Sequence, residues 1–343
     1  HYFINDLSII DKEENLAKSD FTRIYISINN FFSFKDLHIK KLKFKKTEFN
    51  INSNNFGFFK KILDSRKNDH NDIDFNNSSL YFKDQNDDVI FIINIENLNF
   101  LYNDKFEQEL NTNLSIFNVP FKVKITNNVD KKNSFIDVDS NKLRLNIKNN
   151  FEYSKEKKTG VLNLKVIKNF DKINYVLNKN SLIFDTKENN FRGKLDFKPF
   201  FLSSNLQFYQ LDIAKLFKDD SIFLDLLNSE ILNNPNLNAS ININFDKIKN
   251  TNYFKNIIIK TYFEEGGINI KKSSLNWKNS VIINFDEVQI ISENNKVSFT
   301  GAASLDFNNL DEFYSQYQIK RIYRKKLKNI SLDFFFDLNQ NEI

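Results

Sequence analysis

The sequence predicts a mainly β protein: an elongated, curled antiparallel sheet with a few short helices. Apolar and polar residues alternate with a period of two through most of the 343 residues, as in strands with one buried face. The chain also contains 38 Phe and 12 Tyr, and aromatic side chains favour pleated surfaces. One apolar and one polar face is typical of an antiparallel sheet exposed on one side. With so many strands the sheet must curl, split or close into a barrel.

The alternating segments predict strands along the whole chain, with turns built more from Asn and Asp than from the six Gly. Glu264-Glu265-Gly266-Gly267 predicts a hairpin turn. The apolar positions that define the strands are Ile24, Ile26 and Ile28; Val89, Phe91, Ile93 and Ile95; Leu143, Leu145 and Ile147; Leu162, Leu164 and Val166; Leu237, Ala239, Ile241, Ile243 and Phe245; Ile257 and Ile259; Val281, Ile283 and Phe285; Val297 and Phe299; Leu305 and Phe307; and Ile330, Leu332, Phe334, Phe336 and Leu338.

Three segments have the spacing of a helix instead. A short helix is predicted from Phe56 to Leu63, and the longest one from Asp212 to Leu232, with Pro235 just beyond its end, where proline is common. Leu310, Phe313, Tyr314 and Tyr317 form a stripe at i, i+3, i+4 and i+7, which predicts a third helix.

Composition excludes several classes of function. The absence of Cys excludes disulfides and thiol chemistry. The net charge of +5 is modest for this length and does not indicate a nucleic-acid partner, whose binders concentrate basic charge on one face. No apolar run reaches the ~20 residues of a spanning helix.

No motif of an enzyme is present, so we expect no catalytic residue, no metal site and no cofactor. The sequence has no G-x-S-x-G, phosphate-binding loop, G-x-G-x-x-G or H-E-x-x-H. His38 and His70 are expected at the surface, and Asp69 to Asp72 does not fit a calcium loop. Asp137 and Asp139 are two residues apart, so we expect both on the polar face of one strand.

Two basic stretches were considered as binding surfaces. Lys40 to Lys46 alternates with apolar residues and is expected on the polar face of a strand. The C-terminal cluster is interleaved with Ile322, Tyr323 and Leu327; it is either a solvated loop or a contact for anionic headgroups. The headgroup candidates are Arg321, Arg324, Lys325, Lys326 and Lys328.

An ordered series of weak motifs between about residues 80 and 338 resembles the AsmA family of envelope proteins. No single motif is specific; the resemblance lies in their order. They are Ile116-Phe117-Asn118-Val119-Pro120-Phe121, the stretch from Phe191 to Leu202 with Lys198-Pro199-Phe200, Ile231-Leu232-Asn233, Leu237 to Ile241, Phe263-Glu264-Glu265-Gly266, Ser273 to Lys278, Phe313 to Ile319, and Arg324 to Ile330.

The resemblance implies a repeating β-groove with an apolar floor, in the periplasm of a Gram-negative cell, anchored by an inner-membrane helix N-terminal to His1. It implies an N-terminal β-rich region, 1–120, and a groove region, 121–343, or one continuous body. Membrane phospholipids are the expected partners, together with inner- and outer-membrane proteins, and nucleic acid is not. Strand parity then gives the lipid-groove candidates Ile241, Ile243, Phe245, Ile257, Ile259, Val281, Ile283 and Phe285.

Two other classes stay open at this point. A structural or adhesive envelope protein would use the same strands without lipid transfer, although such solenoids usually show short repeats with glycine turns. An outer-membrane barrel would concentrate its aromatic residues in two girdles, whereas Phe is spread along the strands here.

Overall fold

A computed structural model of the chain confirms the mainly β fold, with 72% of the residues in strands. The structure describes residues 1–11, 14–26, 39–52, 54–55, 57–59, 72–84, 87–102, 107–128, 130–152, 158–167, 169–188, 190–216, 218, 221–227, 229, 234–293 and 296–337. The chain forms two compact units. Unit 1 contains residues 1–184 and 196–200, and unit 2 contains residues 185–195 and 201–343. The division into regions 1–120 and 121–343, which follows from the family resemblance, stays a prediction.

Unit 1 contains eleven complete strands among its described residues. They are β1 (Tyr2–Asp11), β2 (Glu14–Ile26), β3 (Ile39–Ile51), β4 (Asp72–Lys83), β5 (Val89–Tyr102), β6 (Glu107–Ile116), β7 (Val119–Asn128), β8 (Asn133–Ser140), β9 (Leu145–Glu152), β10 (Lys158–Val166) and β11 (Asn169–Leu177). Strands β12 (Ser181–Thr186), β13 (Phe191–Phe197) and β14 (Phe200–Leu211) contribute residues to both units.

In unit 1 each strand pairs with the next one along the chain. All of these pairings are antiparallel except β3 with β4, which is parallel. A parallel pair needs a crossover instead of a hairpin, and residues 57–59 belong to the connection between β3 and β4. Residues 57–59 are helical, as predicted, while the remainder of the predicted helix up to Leu63 lies outside the described residues.

Unit 2 repeats this arrangement with a second parallel pair, β14 with β15. Its other strands pair consecutively and antiparallel. The strands after β14 are β15 (Ala239–Ile248), β16 (Phe254–Glu264), β17 (Gly267–Trp277), β18 (Val281–Glu293), β19 (Lys296–Phe307) and β20 (Asn329–Asp337); the helices are α1 (Ile213–Leu216), α2 (Ile222–Leu227) and α3 (Leu310–Gln316), followed by a 3₁₀ turn (Arg321–Tyr323).

The single long helix predicted from Asp212 to Leu232 is wrong, because the crossover between β14 and β15 contains the two short helices α1 and α2. The hydroxyl of Ser221 accepts a hydrogen bond of 3.1 Å from the N–H of Phe223. A serine in this position caps the start of a new helix. The third predicted helix is confirmed as α3, and the Asn309 side chain caps it by accepting from the N–H of Glu312 at 3.0 Å.

Most predicted strands and the hairpin turn at Glu265-Gly266 are confirmed, with small differences at strand ends. Leu143 and Leu237 lie before β9 and β15 and not within them, and the predicted strand residues Ile28 and Leu338 lie outside the described residues. Arg144 has a φ of 51°, so the turn extends one residue further than the alternation of apolar residues indicates. The register of Glu264 opposite Gly267 forms the predicted hairpin.

The regular ladder is interrupted within one strand of each unit, and a buried hydroxyl group lies at each interruption. Asn77 in β4 and Lys272 in β17 have φ near 50°, and a buried serine follows each of them. The Oγ of Ser78 accepts from the N–H of Thr47 at 3.1 Å, and that of Ser273 accepts from the N–H of Lys260 at 2.8 Å. Each serine therefore satisfies a backbone donor where the regular ladder is interrupted.

Candidate apolar binding face

The strand register places the eight groove candidates on one face of unit 2. Ile243 lies opposite Ile259, and Phe245 lies opposite Ile257. On the next pair of strands Ile283 lies opposite Leu275 and Val281 opposite Trp277. Because residues directly opposite each other in a sheet point to the same side, these pairs define a face that crosses strands β15 to β18.

Side chains from β16 to β19 meet on this face in a common cluster. Ile268, Ile290 and Val297 are buried together, and Phe263 and Phe299 pack against them. The pairings Phe263–Ile268, Ile268–Ile290 and Ile290–Phe299 join the four strands in register. The face therefore continues without a change of side from β15 to β19, and β20 extends it through Ile330, opposite Leu305.

The predicted groove residues did not include any residue of β14, which adds Leu206 and Phe208 to the same face. Leu206 lies opposite Ile243, and Phe208 lies opposite Phe245 in the parallel pair. The rings of Phe208 and Phe245 stack with centroids 5.4 Å apart and an angle of 21° between their planes. The sequence does indicate this apolar face, because Leu202, Leu206 and Phe208 alternate with a period of two and only Ser204 interrupts the series.

Helix α2 covers one end of the face. Leu227 is buried in the cluster with Ile268, and Phe223 and Leu224 of the same helix pack against that cluster. The short helix thus covers the end of the strands near the β16–β17 and β18–β19 turns. The sequence shows that Phe223, Leu224 and Leu227 are apolar, but it does not show which strands they pack against.

Helix α3 covers the opposite end. The ring of Phe313 contacts the indole of Trp277 and the ring of Phe307, with centroid distances of 5.7 Å and 5.0 Å. Tyr317 contacts Trp277 as well, at 5.4 Å. Val281 at this end is only 1% exposed. The predicted stripe of α3 is therefore packed on the apolar face.

The middle of the face is the accessible part, which we call the open floor. Its six residues are half-exposed: Ile243, Ile259, Leu275, Ile283, Phe285 and Leu305. Ile241 and Phe245 are half-exposed next to it, whereas Val281 and Ile257 are buried. Six of the eight predicted groove residues are therefore partly exposed, whereas Val281 and Ile257 are not.

The other face of unit 2 is polar and is satisfied by its own side chains. The amide of Asn242 donates to Asn205 at 3.0 Å, and that of Asn284 donates to the carboxylate of Asp306 at 2.8 Å. Asn242 and Asn284 each follow a groove candidate by one residue. The two faces therefore differ in chemistry, as the period of two predicts, although Ile258, Ile282 and Phe335 also lie on the more polar face.

Unit 1 also has an apolar face, with only a small cavity beside the parallel pair among its described residues. Phe44 and Phe75 lie opposite each other in register and stack at 4.8 Å. Next to them is a cavity of about 30 Å³ lined by Leu7, Ile9, Ala17, Ser19, Phe44, Thr47, Phe49 and Phe75. A space of this size holds at most a water molecule or two, so the cavity is no ligand site.

The polar face of unit 1 contains an ion-pair cluster of Lys41, Asp72 and Asp74. Lys41 contacts both carboxylates, and its Nζ lies 2.8 Å from Oδ2 of Asp74. Burial by itself would raise the pKa of Asp74, but hydrogen bonds from Lys41 and Asn99 and the charges of Lys41 and Lys43 outweigh it and lower the pKa. Burial would likewise lower the pKa of Lys41, and the two aspartates instead raise it.

The two carboxylates considered for catalysis belong to a ladder of opposite charges. Asp137 and Asp139 both lie on β8, opposite Lys124 and Lys122 of β7. The Nζ of Lys148 also lies 3.5 Å from Asp137. Opposite charges across a pair of strands stabilise the sheet, which is a structural reason for the spacing of the two carboxylates. His38 and His70 lie outside the described residues.

Four of the five headgroup candidates are exposed, and the fifth has a structural role. Arg321, Lys325, Lys326 and Lys328 are exposed in the segment between α3 and β20. Arg324 is half-buried; its Nε donates to the carbonyl of Ile319 at 3.0 Å, and its guanidinium lies 5.8 Å from the ring centre of Tyr314. We therefore separate Arg324 from the others.

Comparison with known proteins does not assign the chain to a family. No protein-family profile matches the sequence, and no curated protein matches it either. Among the described residues, no helix has both the length and the apolar character needed to cross a membrane.

Proposed function

We propose that unit 2 shelters the acyl chains of phospholipids on its apolar face, as part of lipid transport or outer-membrane homeostasis in a bacterial envelope. The observation that carries this proposal is the open floor. Six apolar side chains from the five strands β15 to β19 lie partly exposed, between the ends of the face that α2 and α3 cover.

The chemistry of the floor matches an acyl chain better than a polar ligand. Every one of its six side chains is an apolar Ile, Leu or Phe, and transfer of a methylene group from water to such a surface yields about 0.8 kcal/mol. A chain of lipid length would therefore bind without any charged or catalytic group. The headgroup would stay in water beside the face.

The cellular setting comes from the family resemblance and is part of the proposal. We place the protein in the periplasm, anchored in the inner membrane by a helix N-terminal to His1, with membrane phospholipids as partners. Inner- and outer-membrane proteins would act at the two ends of the transfer path. The protein would act without chemistry, so it is proposed as a carrier and not as an enzyme.

Lipid extraction from the purified protein tests the proposal. The protein is isolated from bacterial membranes under native conditions, and bound lipids are quantified by mass spectrometry. The double variant Ile243→Asp, Ile283→Asp puts two charges on the open floor. The matched control is Asn244→Asp, which adds a charge one residue away on the opposite face of the same strand.

We expect phospholipid to co-purify with the wild-type protein and with the Asn244→Asp control, and to be lost from the double variant while circular dichroism still shows a folded sheet. Absence of lipid from the folded wild-type protein would overturn the proposal. A structural role in the envelope would then be the better explanation of the same sheet.

A further inference from the structure

The segment from residue 317 to residue 328, which we call the basic loop, has an unusual surface for a solvated connection. Ile322 is 80% exposed and Tyr323 is 66% exposed, and Tyr317 and Leu327 are exposed too. These apolar groups alternate with six cations, and no acidic residue occurs between Gln318 and Leu332. The exposed cations of the loop take no part in the ion pairs found among the described residues.

Hydrogen bonds hold the basic loop in place, so the fold fixes the exposed positions of Ile322 and Tyr323. The N–H of Ile319 donates to the carbonyl of Tyr314 at 2.9 Å, and the N–H of Tyr323 donates to that of Lys320 at the same distance. The hydroxyl of Tyr314, a buried residue of α3, donates to the carbonyl of Lys325. Within the loop the Nε of Arg324 donates to the carbonyl of Ile319, and its guanidinium lies over the ring of Tyr314 in α3.

We infer that the basic loop docks unit 2 onto the surface of an anionic phospholipid membrane. Lys and Arg would contact the headgroups, and Ile322 would enter the boundary with the acyl chains. Tyr323 would lie at the interface, where tyrosine side chains are enriched. The aliphatic Ile322 and Leu327 favour a membrane over a nucleic acid, because they cannot stack on bases as aromatic side chains do.

The position of the basic loop connects this inference to the apolar face. The loop leads directly into β20, which pairs with β19 at the end of the strand series described for unit 2. On this strand Leu332, opposite Ala303 on the apolar face, is 50% exposed. Docking through the loop would bring this poorly covered end of the face to the membrane. The inference deepens the proposed function, but membrane binding is measured independently of bound lipid.

Co-sedimentation with vesicles tests the inference. The whole protein is mixed with vesicles of phosphatidylcholine alone or of equal parts of phosphatidylcholine and phosphatidylglycerol. Two variants change the loop: Lys325→Glu with Lys326→Glu, and Ile322→Ser. The matched control is Lys131→Glu with Lys132→Glu, which reverses two adjacent exposed lysines in the turn between β7 and β8.

We expect the wild-type protein and the control to bind the mixed vesicles. Neither should bind the vesicles of phosphatidylcholine alone. Each cation near an anionic surface strengthens binding about fivefold, so the Lys325→Glu, Lys326→Glu variant should bind at least about 25-fold more weakly. Added salt should weaken the binding of the wild-type protein. Ile322→Ser should also bind more weakly, but with the same dependence on salt as the wild-type protein.

Several results would overturn the inference: no binding of the wild-type protein to mixed vesicles, an equal loss in the control variant, or displacement by single-stranded DNA that binds as tightly as the vesicles. The fluorescence of Trp277, the only tryptophan, shows whether α3 is still packed in each variant. Loss of vesicle binding with normal co-purified lipid would separate the docking surface from the groove.

Discussion

The indole of Trp277 on β17 and the ring of Phe313 on α3 meet edge to face, with centroids 5.7 Å apart and planes at 88°. This contact attaches α3 to one end of the apolar face, above Val281. Aromatic pairs in such a geometry contribute beyond their buried area. Because Trp277 is the only tryptophan of the chain, its emission reports on the packing at this end of the apolar face.

Phe313→Ala should loosen α3 and expose Trp277 to water. Phe313 is half-buried, so we expect a loss of about 2 kcal/mol in the free energy of unfolding, less than for a fully buried phenylalanine. The emission of Trp277 should shift to longer wavelength. Urea unfolding followed by fluorescence measures both effects, with Phe335→Ala, an exposed phenylalanine on the polar face of β20, as the control. An unchanged spectrum in Phe313→Ala would contradict the role of α3.

Gly301→Ala should destabilise unit 2, because β18 bulges toward this glycine. A Cβ at Gly301 would lie 2.3 Å from the backbone oxygen of Glu287 and 2.7 Å from the Cα of Val288. Neither atom can move without shifting the strand, so we expect a cost of about 2 kcal/mol or more. The control is Gly57→Ala, since a Cβ there would meet nothing within 4 Å among the described residues apart from its own neighbours in the helix. Thermal unfolding that finds both variants equally stable would argue against the bulge.

Ser273→Ala should leave the N–H of Lys260 without a partner at the bulge of β17. Ser273 is 2% exposed, and its hydroxyl accepts from that N–H at 2.8 Å. Loss of a buried hydrogen-bond partner costs about 1–3 kcal/mol. Ser274→Ala on the opposite face serves as the control and should change little. Chemical unfolding measures the difference, and faster amide hydrogen exchange at Lys260 would locate it.

The stability of unit 1 should depend on pH through Asp74. Its pKa in the folded protein lies below the ordinary value of 3.8, so the stabilisation is present above that value and is lost as the pH falls through the folded pKa. The pKa of Lys41 is raised, so its contribution to stability is fully present below the ordinary value of 10.5. This contribution is lost as the pH rises through the higher folded pKa. The pair therefore acts fully between these limits.

Asp74→Asn should lower the free energy of unfolding by about 1 kcal/mol at neutral pH. The stability of this variant should also fall less steeply than that of the wild-type protein as the pH is lowered. Unfolding in urea at a series of acidic pH values measures this slope. Asp171→Asn, at an exposed carboxylate of β11, is the comparison and should keep the wild-type slope. A slope in Asp74→Asn equal to that of the wild-type protein would mean that the ion pair does not stabilise the fold.

The candidate floor shows what strand parity can and cannot predict. Ile243 and Ile283 were found from alternation, because successive side chains of a strand point to opposite faces whatever the strand pairs with. After Phe285 the alternation is shifted by a bulge, and Val288 and Ile290 continue the apolar face in place of Glu287 and Gln289. The candidates ended at Phe285, so the shift did not affect them.

Burial by other elements could not be predicted in this way. Val281 and Ile257 have the same pattern as Ile243, yet both are buried. The packing of Phe313 on Trp277, above Val281, joins residues 36 positions apart, and no local pattern encodes such a contact. The interruption between α1 and α2 was missed for a related reason: the capping by Ser221 competes with an apolar spacing that favours a continuous helix.

The sequence by itself determined the strands, their polar and apolar faces, and the helix α3, because each depends on the spacing of neighbouring residues. Only the tertiary structure decided that β3 pairs with β4 and β14 with β15 in parallel, and which apolar side chains lie under α2 and α3. Pairing and coverage depend on contacts between distant segments, and the alternation within a single strand is the same for a covered residue and an open one.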